Sequence, residues 1–264
     1  MMDRANQEYP LTTVARVIDY QSSLLPVPIL ETTTHHSTKH LKIIGTGIDG
    51  KKYAVKRVCE QDNNGLIPAS ELFCYELARA IFLPVPYYEI VKLKDDELAF
   101  GSVWEGGVDI NDALTRVLMG EIETNNPKLI LSKIYAFDLF VNNTDRHFNN
   151  YLVCSRHEKH SIIAFDFSMA WYAGVDPFGY QALNPEYDTY QHHKLIKASK
   201  YYFDAELARN TLTEIDKISI DKIEQILRLM PDSWFSMQQR QEVVAWWDSS
   251  AKTERITRLK TEIR

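Results

Sequence analysis

Apolar and polar positions alternate through much of the first hundred residues, and this pattern predicts a small antiparallel sheet. The segments LKIIGTGI and KKYAVKRV are joined by Asp49-Gly50, a dipeptide favoured in tight hairpin turns. Two further strand-like segments, YYEIVKL and ELAFGSVW, follow later in the chain. Between these two pairs, the helical spacing of apolar positions in PASELFCYELARAIF predicts one helix, with Pro68 in its first turn.

The strand pattern stops at Glu105-Gly106-Gly107, which we interpret as a hinge. Beyond it the spacing is mostly helical, and we expect a buried helix that has Asn126 as its cap and Pro127 as its first residue. A second hairpin, YLVCS and SIIAFDF, comes next. The pattern therefore predicts an α+β protein of two lobes, with residues 1–104 forming a small sheet lobe and residues 105–264 a larger, mainly helical lobe.

The tail, residues 203–264, is predicted to form a helical subdomain. Its expected core consists of Leu207, Leu212, Ile215, Ile223, Ile226, Leu227, Trp234, Val243, Val244 and Trp247. We expect Trp234 and the pair Trp246-Trp247 to pack these helices. A nucleic-acid stacking platform would need surrounding basic charge that the composition does not offer.

The composition narrows the class of protein. The 264 residues are 45% apolar and 25% charged, enough for one large domain or two small ones. A net charge of -6 argues against a dedicated binder of nucleic-acid backbones or anionic membranes. Cys59, Cys74 and Cys154 are far apart, so neither a disulfide framework nor a zinc cluster is indicated. Because no apolar leader and no bilayer-length apolar run occurs, we expect a cytoplasmic protein.

The strongest chemical signal is the loop TDRHFNN, which contains Asp145 and Asn150 and precedes Asp166 in IIAFDF. Taken alone, each residue is an ordinary turn former. Together, two carboxylates and an amide at the ends of a hairpin provide oxygen ligands for Mg²⁺ beside substrate phosphates. In that arrangement Asp145 accepts or orients the proton of the attacking hydroxyl, and Asn150 and Asp166 hold the metal.

Two further residues fit a phosphate site. Lys56 ends a strand shortly before the helix that carries Glu71, a geometry in which an ammonium group can reach phosphates while a carboxylate fixes it. Taken alone, Lys56 would be a solvated strand lysine. Glu76, on the same helix, is an alternative partner.

The motif Gly45-Thr46-Gly47-Ile48-Asp49-Gly50 matches GxGxxG, but a strand follows it, whereas a dinucleotide fingerprint opens a helix. These glycines are interpreted as hairpin residues. We expect the phosphate-covering loop to be the preceding turn, ETTTHHSTKH, with Ser37 and Thr38 facing phosphate. The nearby histidines do not have the pattern of a zinc site. We expect the pair His192-His193 to lie in an exposed loop.

The segments FDLFVNNTDRHFNNYLV and IIAFDFSMAW resemble the HipA-like serine/threonine kinases, which share the DRHxxN form with phosphatidylinositol 3- and 4-kinases. YAVKR and SELFCYELARAIFLPVP are similar to the valine-lysine strand and glutamate helix of that family. The resemblance runs from about Val14 to the C-terminus.

The resemblance implies a bilobal kinase that uses ATP and Mg²⁺ and transfers the γ-phosphoryl group to Ser/Thr of a protein. It assigns Asp145 as catalytic base, Asn150 and Asp166 as magnesium ligands, and Lys56 as the phosphate contact paired with Glu71. Adenine is then expected against the segment from Val103 to Gly106, which includes Trp104 and Glu105.

The resemblance also implies autophosphorylation in the loop 32–38, and a role as the toxin of a toxin-antitoxin pair with a cognate antitoxin protein. Two alternatives stay open at this point: a lipid or small-molecule kinase, and an inactive nucleotide-binding interaction protein.

Overall fold

The structure of the chain is a computed structural model. It describes residues 25–34, 43–58, 65–104, 113–156, 159–174, 176–180 and 184–264. The expected hinge at 105–107, with Glu105, and the loop residues Ser37 and Thr38 lie outside the described residues.

Five strands form the N-terminal sheet: β1 Val27–Thr34, β2 Ile43–Gly47, β3 Lys52–Lys56, β4 Tyr88–Lys92 and β5 Leu98–Val103. Their order is β1-β2-β3-β5-β4. The neighbours in this order are antiparallel, and a short parallel pairing also joins β1 to β4. Both predicted pairs of strands are therefore confirmed, and β3 lies inside the sheet with β2 and β5 on either side.

The predicted turn between β2 and β3 is confirmed. Gly50 has a φ of 78°, in the left-handed region that glycine adopts without steric cost, and its N–H donates to the carbonyl of Gly47 at 2.9 Å. The hydroxyl of Tyr53 donates to the carboxylate of Asp49 at 2.7 Å, which fastens the turn to the strand. The glycines of the GxGxxG motif thus belong to a hairpin.

The prediction that residues 32–38 form a turn is wrong for its first part. Thr32, Thr33 and Thr34 belong to β1 and pair in register with Gly45, Ile44 and Ile43 of β2. Three consecutive β-branched residues favour an extended strand, which explains why β1 continues further than the turn prediction allowed.

One helix, α1 Ile67–Ala80, packs between the sheet and the helical part of the molecule. Pro68 is in its first turn, as predicted. Nearly all of its residues are buried because it is covered by the sheet on one side and by helices on the other. A buried position is therefore available even for the polar side chain of Glu71.

The rest of the chain is mainly helical. Its helices are α2 Ala113–Leu118, α3 Pro127–Phe140, α4 Trp171–Gly174, α5 Asp188–Lys197, α6 Ala205–Asp216, α7 Ile220–Leu229, α8 Met237–Trp247 and α9 Ser250–Glu262. The predicted second hairpin is formed by β6 Tyr151–Arg156 and β7 Lys159–Ala164. None of the helices in the described part of the chain combines the length and the apolar character that crossing a membrane requires.

The buried helix predicted after Asn126 is confirmed as α3, which begins at Pro127. The capping mode differs, because Asn126 has a φ of 46° and its side chain makes no cap hydrogen bond. Asparagine tolerates this left-handed conformation better than most residues, so it starts the helix through its backbone.

The predicted core of the tail is confirmed for most of its residues. Leu207 and Val244 are the exceptions, because both are only half-buried. Trp234 and Trp247 are buried, and each indole N–H donates to a backbone carbonyl.

The expectation of an exposed His192-His193 loop pair is wrong. Both residues lie on α5, with exposed fractions of 3% and 2%. They are buried because α5 turns one polar face inward, where buried hydrogen-bond partners satisfy one nitrogen of each ring.

Candidate functional site

Three elements bring charged side chains together at the border between the sheet and the helical part. Lys56 ends β3, Glu71 lies on α1 and Asp166 follows β7. The Lys56 ammonium donates to the Glu71 carboxylate and, at 2.7 Å, to Oδ1 of Asp166. Lys56 and Asp166 are 110 residues apart in the chain, so only the fold can make this contact.

Ser168 completes this cluster, and the sequence analysis did not identify it. Its hydroxyl oxygen accepts from the Lys56 ammonium at 2.7 Å. Its single hydroxyl hydrogen is shared between Asp166 at 2.7 Å and Glu71 at 3.1 Å. The only sequence signal for this role is the position of Ser168, two residues after Asp166 in the motif that ends the hairpin.

The structure distinguishes the two glutamates of α1. Glu71 is fully buried, and its Oε1 also accepts from the backbone N–H of Phe167 at 2.9 Å. Glu76 instead accepts from Arg79 and Tyr88, away from Lys56. Glu71 is thus the glutamate of α1 that pairs with Lys56.

Burial and charge set the ionisation of the cluster. Burial lowers the pKa of Lys56, but the negative charges of Asp166 and Glu71 outweigh burial and raise it overall. Burial raises the pKa of Asp166, yet attraction to Lys56 and hydrogen bonds from Lys56 and Ser168 hold it well below its usual value. For Glu71, burial dominates and the pKa is raised. Lys56 and Asp166 are therefore a charged pair at neutral pH.

The backbone of Asp166 is strained. Its φ is 61°, which is uncommon for a residue with a side chain. Such strain costs about 1–3 kcal/mol and persists only where surrounding contacts enforce it. Here the contacts from Lys56 and Ser168 hold the carboxylate, so the fold fixes its direction.

The loop that contains Asp145 begins soon after α3 and leads through a short 3-10 turn, Phe148–Asn150, into β6. The N–H of Asp145 donates to the side-chain oxygen of Asn143 at 3.3 Å. The amide Nδ2 of Asn150 donates to the carbonyl of Asp145 at 2.8 Å. Because that bond uses the amide nitrogen, Oδ1 of Asn150 remains an acceptor for another group.

The buried side chain of Arg146 holds this loop in place through hydrogen bonds. Its guanidinium is fully buried and donates to the carbonyls of Asn150 at 2.9 Å and Phe165 at 2.6 Å. It also donates through Nε to Asp138 on α3 at 2.9 Å. One side chain thus connects the Asp145 loop, the approach to Asp166 and α3. Sequence analysis noted Arg146 only as part of the motif.

Asp138 is the counter-charge of this buried arginine. Its two oxygens accept from Arg146, from Asn143 at 2.9 Å and from Nε2 of His193 at 3.0 Å. Burial raises the pKa of Asp138, but the Arg146 charge and the hydrogen bonds from His193 and Arg146 together outweigh burial and lower it well below its usual value. Four hydrogen bonds to one ionised carboxylate make this cluster a rigid base for the loop.

A cleft opens beside Lys56. Its walls are Ala54, Lys56, Tyr75, Pro86, Ser102, Val103, Trp104, Leu152, Phe165 and Asp166. Of the residues predicted to contact a nucleotide, Lys56, Val103 and Trp104 therefore line one cleft, and Glu71 lies directly behind Lys56.

The sequence that contains these residues was compared with models of known protein families. A model of the HipA-like kinase family matches residues 29–262. The chain belongs to the HipA-like kinase family. Lys56, Glu71, Asp145, Asn150 and Asp166 all fall within the matched range, and the expected family is confirmed.

One solved kinase structure is similar to this chain at the level of the fold. The crystal structure of the Helicobacter pylori proinflammatory kinase CtkA is similar with a TM-score of 0.57 and 13% identity, over 90% of this chain and 98% of that one. A complex of Shewanella oneidensis HipA, HipB and operator DNA gives a TM-score of 0.47 and 14% identity, over 83% of this chain and 57% of that one. No curated protein matches the chain. The mixed α+β fold, with an N-terminal sheet and a helical C-terminal part, is thus similar to that of the CtkA kinase.

The described residues of this HipA-like kinase supply only some of the ligands that a divalent metal ion needs. Within the described residues, no group of three or more His, Cys, Asp or Glu side chains could enclose an ion. Asp166 and Asn150 offer a carboxylate and an amide oxygen, which suit Mg²⁺ rather than a transition metal. Mg²⁺ usually completes its shell with water and substrate phosphates, so two protein ligands are sufficient.

Proposed function

We propose that this protein binds ATP with Mg²⁺ between its two lobes, residues 1–104 and 105–264, and transfers the γ-phosphoryl group to a Ser/Thr hydroxyl of a protein. The convergence of Lys56, Glu71 and Asp166 beside the Asp145 loop is the observation that carries the proposal. Family membership supports the kinase class of the reaction.

Lys56 and Glu71 act together in this proposal. The ammonium of Lys56 contacts phosphate oxygens, and Glu71 keeps the flexible lysine side chain directed into the cleft. Because Glu71 is fully buried and bonded to the backbone of Phe167, it has little freedom to move. Catalysis then depends mainly on positioning and on neutralising phosphate charge.

Asp145, Asn150 and Asp166 act on the other side of the transferred group. Asp145 accepts or orients the proton of the attacking hydroxyl. Asn150 and Asp166 would hold Mg²⁺, which supplies positive charge to the phosphate oxygens when it is bound. The ionised state of Asp166 suits this role, because a metal ligand must be deprotonated.

Adenine is proposed to bind against Val103 and Trp104, with Glu105 following them in the chain. The cleft beside them is also lined by Ala54, Tyr75 and Leu152, whose apolar surfaces suit the faces of a planar base.

The direct test incubates the purified protein with labelled ATP, Mg²⁺ and a protein extract. Asp145→Asn should lower phosphoryl transfer by about a hundredfold or more, because the proton acceptor is lost. Lys56→Met should also abolish transfer. Lys52→Met, on the exposed side of the same strand, and Asp248→Asn, exposed at the end of α8, are matched controls that should retain activity.

Each outcome of this test has a separate meaning. Label on protein Ser/Thr that depends on Asp145 supports the proposal. Label that appears only on lipids or small molecules would favour the alternative kinase class. Equal activity of the Asp145→Asn and Asp248→Asn variants would exclude the proposed site, and no transfer at all would favour the inactive nucleotide-binding alternative.

We also propose autophosphorylation in the segment 32–38. Thr32, Thr33 and Thr34 are exposed on β1, and Ser37 and Thr38 follow them in the chain. A phosphate here carries about -1.5 to -2 charges, so it would compete with ATP for Lys56 and inhibit the enzyme. Mass spectrometry of peptides should find phosphate in this segment of the active protein and none in Asp145→Asn. An unmodified segment, in a protein that phosphorylates other targets, would contradict this.

From family membership we further propose that the protein is the toxin of a toxin-antitoxin pair, with a cognate antitoxin protein as its partner. No direct nucleic-acid contact is proposed, because the chain carries a net charge of -6.

A further inference from the structure

A second cavity, of about 130 Å³, lies beside α5 and shares no lining residue with the nucleotide cleft. Tyr190, His193, Lys194 and Lys197 line it from α5, and Tyr135 lines it from α3. The other three α5 residues follow Tyr190 by three, four and seven positions, so all four lie on one face of the helix. The cavity therefore combines two cations, two phenols and one imidazole.

His193 is the buried polar group of this cavity. Its side chain is 2% exposed, and Nε2 lies 3.0 Å from the ionised Asp138 carboxylate. An ionised carboxylate can only accept, so Nε2 must carry a hydrogen. Burial lowers the pKa of His193, which keeps the ring neutral and leaves Nδ1 as an acceptor. Nδ1 is buried and has no hydrogen-bond partner among the described residues.

The two lysines make the cavity positive. The Lys197 ammonium lies 3.4 Å from the Tyr135 hydroxyl and over the rings of Tyr135 and Phe203. Within the described part of the chain, neither Lys194 nor Lys197 forms an ion pair with a carboxylate. Partial burial lowers the pKa of Lys197. An anion in the cavity would supply the missing counter-charge.

We propose that this cavity binds inorganic phosphate as the hydrogen phosphate ion. Its oxygens accept from Lys194, Lys197 and Tyr190, and its P–OH donates to Nδ1 of His193. A carboxylate or sulfate ion carries no hydrogen at neutral pH and would leave Nδ1 unsatisfied, which is costly for a buried acceptor. A tetrahedral ion of five heavy atoms is smaller than benzene, which fits a cavity of about 150 Å³.

Isothermal titration of the full chain at neutral pH, with phosphate, sulfate and O-phosphoserine as separate ligands, tests this proposal. Phosphate should bind saturably. Above its second pKa of about 6, O-phosphoserine is mostly a dianion without a P–OH. Sulfate and O-phosphoserine should therefore each bind at least about tenfold more weakly than phosphate. Equal binding of sulfate would overturn the proposal, because no P–OH would then be needed.

Matched variants locate the binding. Lys197→Gln should weaken phosphate binding by about tenfold, since a charge-assisted hydrogen bond is lost. Lys200→Gln, three residues further on and exposed, makes the same charge change and should bind like the original protein. Phosphate binding that is absent, or unaffected by Lys197→Gln, overturns the proposal. The readout is binding rather than turnover, so the result is independent of the kinase reaction.

Discussion

Ser168 contacts three charged side chains of the proposed nucleotide site, although a serine is among the least distinctive residues in a sequence. Its hydroxyl bonds Lys56, Asp166 and Glu71, and its exposed fraction is 1%. With this hydroxyl in place, the buried carboxylate of Glu71 and the partly exposed carboxylate of Asp166 can lie beside one ammonium, because they share a neutral donor in addition to the cation. The site is thus held by four side chains rather than three.

Ser168→Ala should lower the free energy of unfolding by about 1–3 kcal/mol, because buried partners lose a hydrogen bond. It should also weaken nucleotide binding, since Lys56 and Asp166 lose a contact that holds them in place. Urea denaturation and ATP titration measure the two effects. Ser233→Ala, at an exposed position, is the control and should change neither. Unchanged stability in Ser168→Ala would contradict the hydrogen bonds described here.

At the scale of elements, α5 is the helix whose role differs most from its sequence pattern. Its residues Asp188–Lys197 are mostly polar, and Ile196 is the only large aliphatic residue that it buries. Its inner face instead carries His192, which lies 2.8 Å from the Tyr151 hydroxyl, and His193, which bonds Asp138. A search for apolar periodicity cannot detect a helix that is held to the core by buried polar pairs.

The histidines of α5 should make the protein sensitive to mild acid. Burial lowers the pKa of His192 from 6.5 to about 2 and also lowers that of His193. Below pH 6.5 the unfolded chain therefore binds more protons than the folded one. The free energy of unfolding should fall as the pH falls below 6.5, with a slope that approaches about 1.4 kcal/mol per pH unit from His192 alone and a further contribution of the same sign from His193.

Urea denaturation at several pH values between about 5 and 7.5 measures this slope. His192→Gln should lower the slope of unfolding free energy against pH by the equivalent of about one bound proton, because one buried titratable group is lost. Leu195→Gln, at a position of α5 that is 60% exposed, removes no titratable group and should keep the slope. An unchanged slope in His192→Gln would mean that the imidazole is not held neutral in the fold.

At the scale of the whole molecule, one hydrophobic cluster runs from the α1 side of the sheet into the helical part, while the other side of the sheet has a smaller cluster of its own. Tyr75 of α1 packs edge-on against Phe100 of β5 and against Phe167, with ring centroids 5.0 and 5.9 Å apart. Phe167 in turn packs against Phe137 of α3 at 5.5 Å. Because Phe167 directly follows Asp166, the proposed metal ligand is attached to this continuous aromatic core.

Binding of ATP with Mg²⁺ should therefore stabilise the whole fold. At a nucleotide concentration a hundredfold above Kd, linkage adds about 2.7 kcal/mol to the free energy of unfolding. Calorimetry should show a higher Tm with ATP and Mg²⁺, and EDTA should cancel the increase. Lys56→Met should lose the increase and Lys52→Met should keep it. A Tm that does not respond to millimolar nucleotide would exclude the proposed nucleotide site.

Features that depend on a few neighbouring residues were determined by the sequence itself. The Asp49-Gly50 hairpin follows from local turn preferences, and α1 and α3 begin where Pro68 and Pro127 predict. The DRHxxN loop was recognisable for the same reason, because Asp145 and its neighbours lie within a single short segment.

Only the tertiary structure decided which distant side chains meet. Glu71 and Glu76 lie on the same helix, and the packing of α1 against the sheet selects Glu71 as the partner of Lys56. The burial of His193 depends on Asp138, 55 residues earlier, and the role of Ser168 depends on Lys56, 112 residues earlier. These contacts arise because packing brings remote segments together. Local sequence preferences act over a few residues and therefore do not predict which residues far apart in the chain will meet.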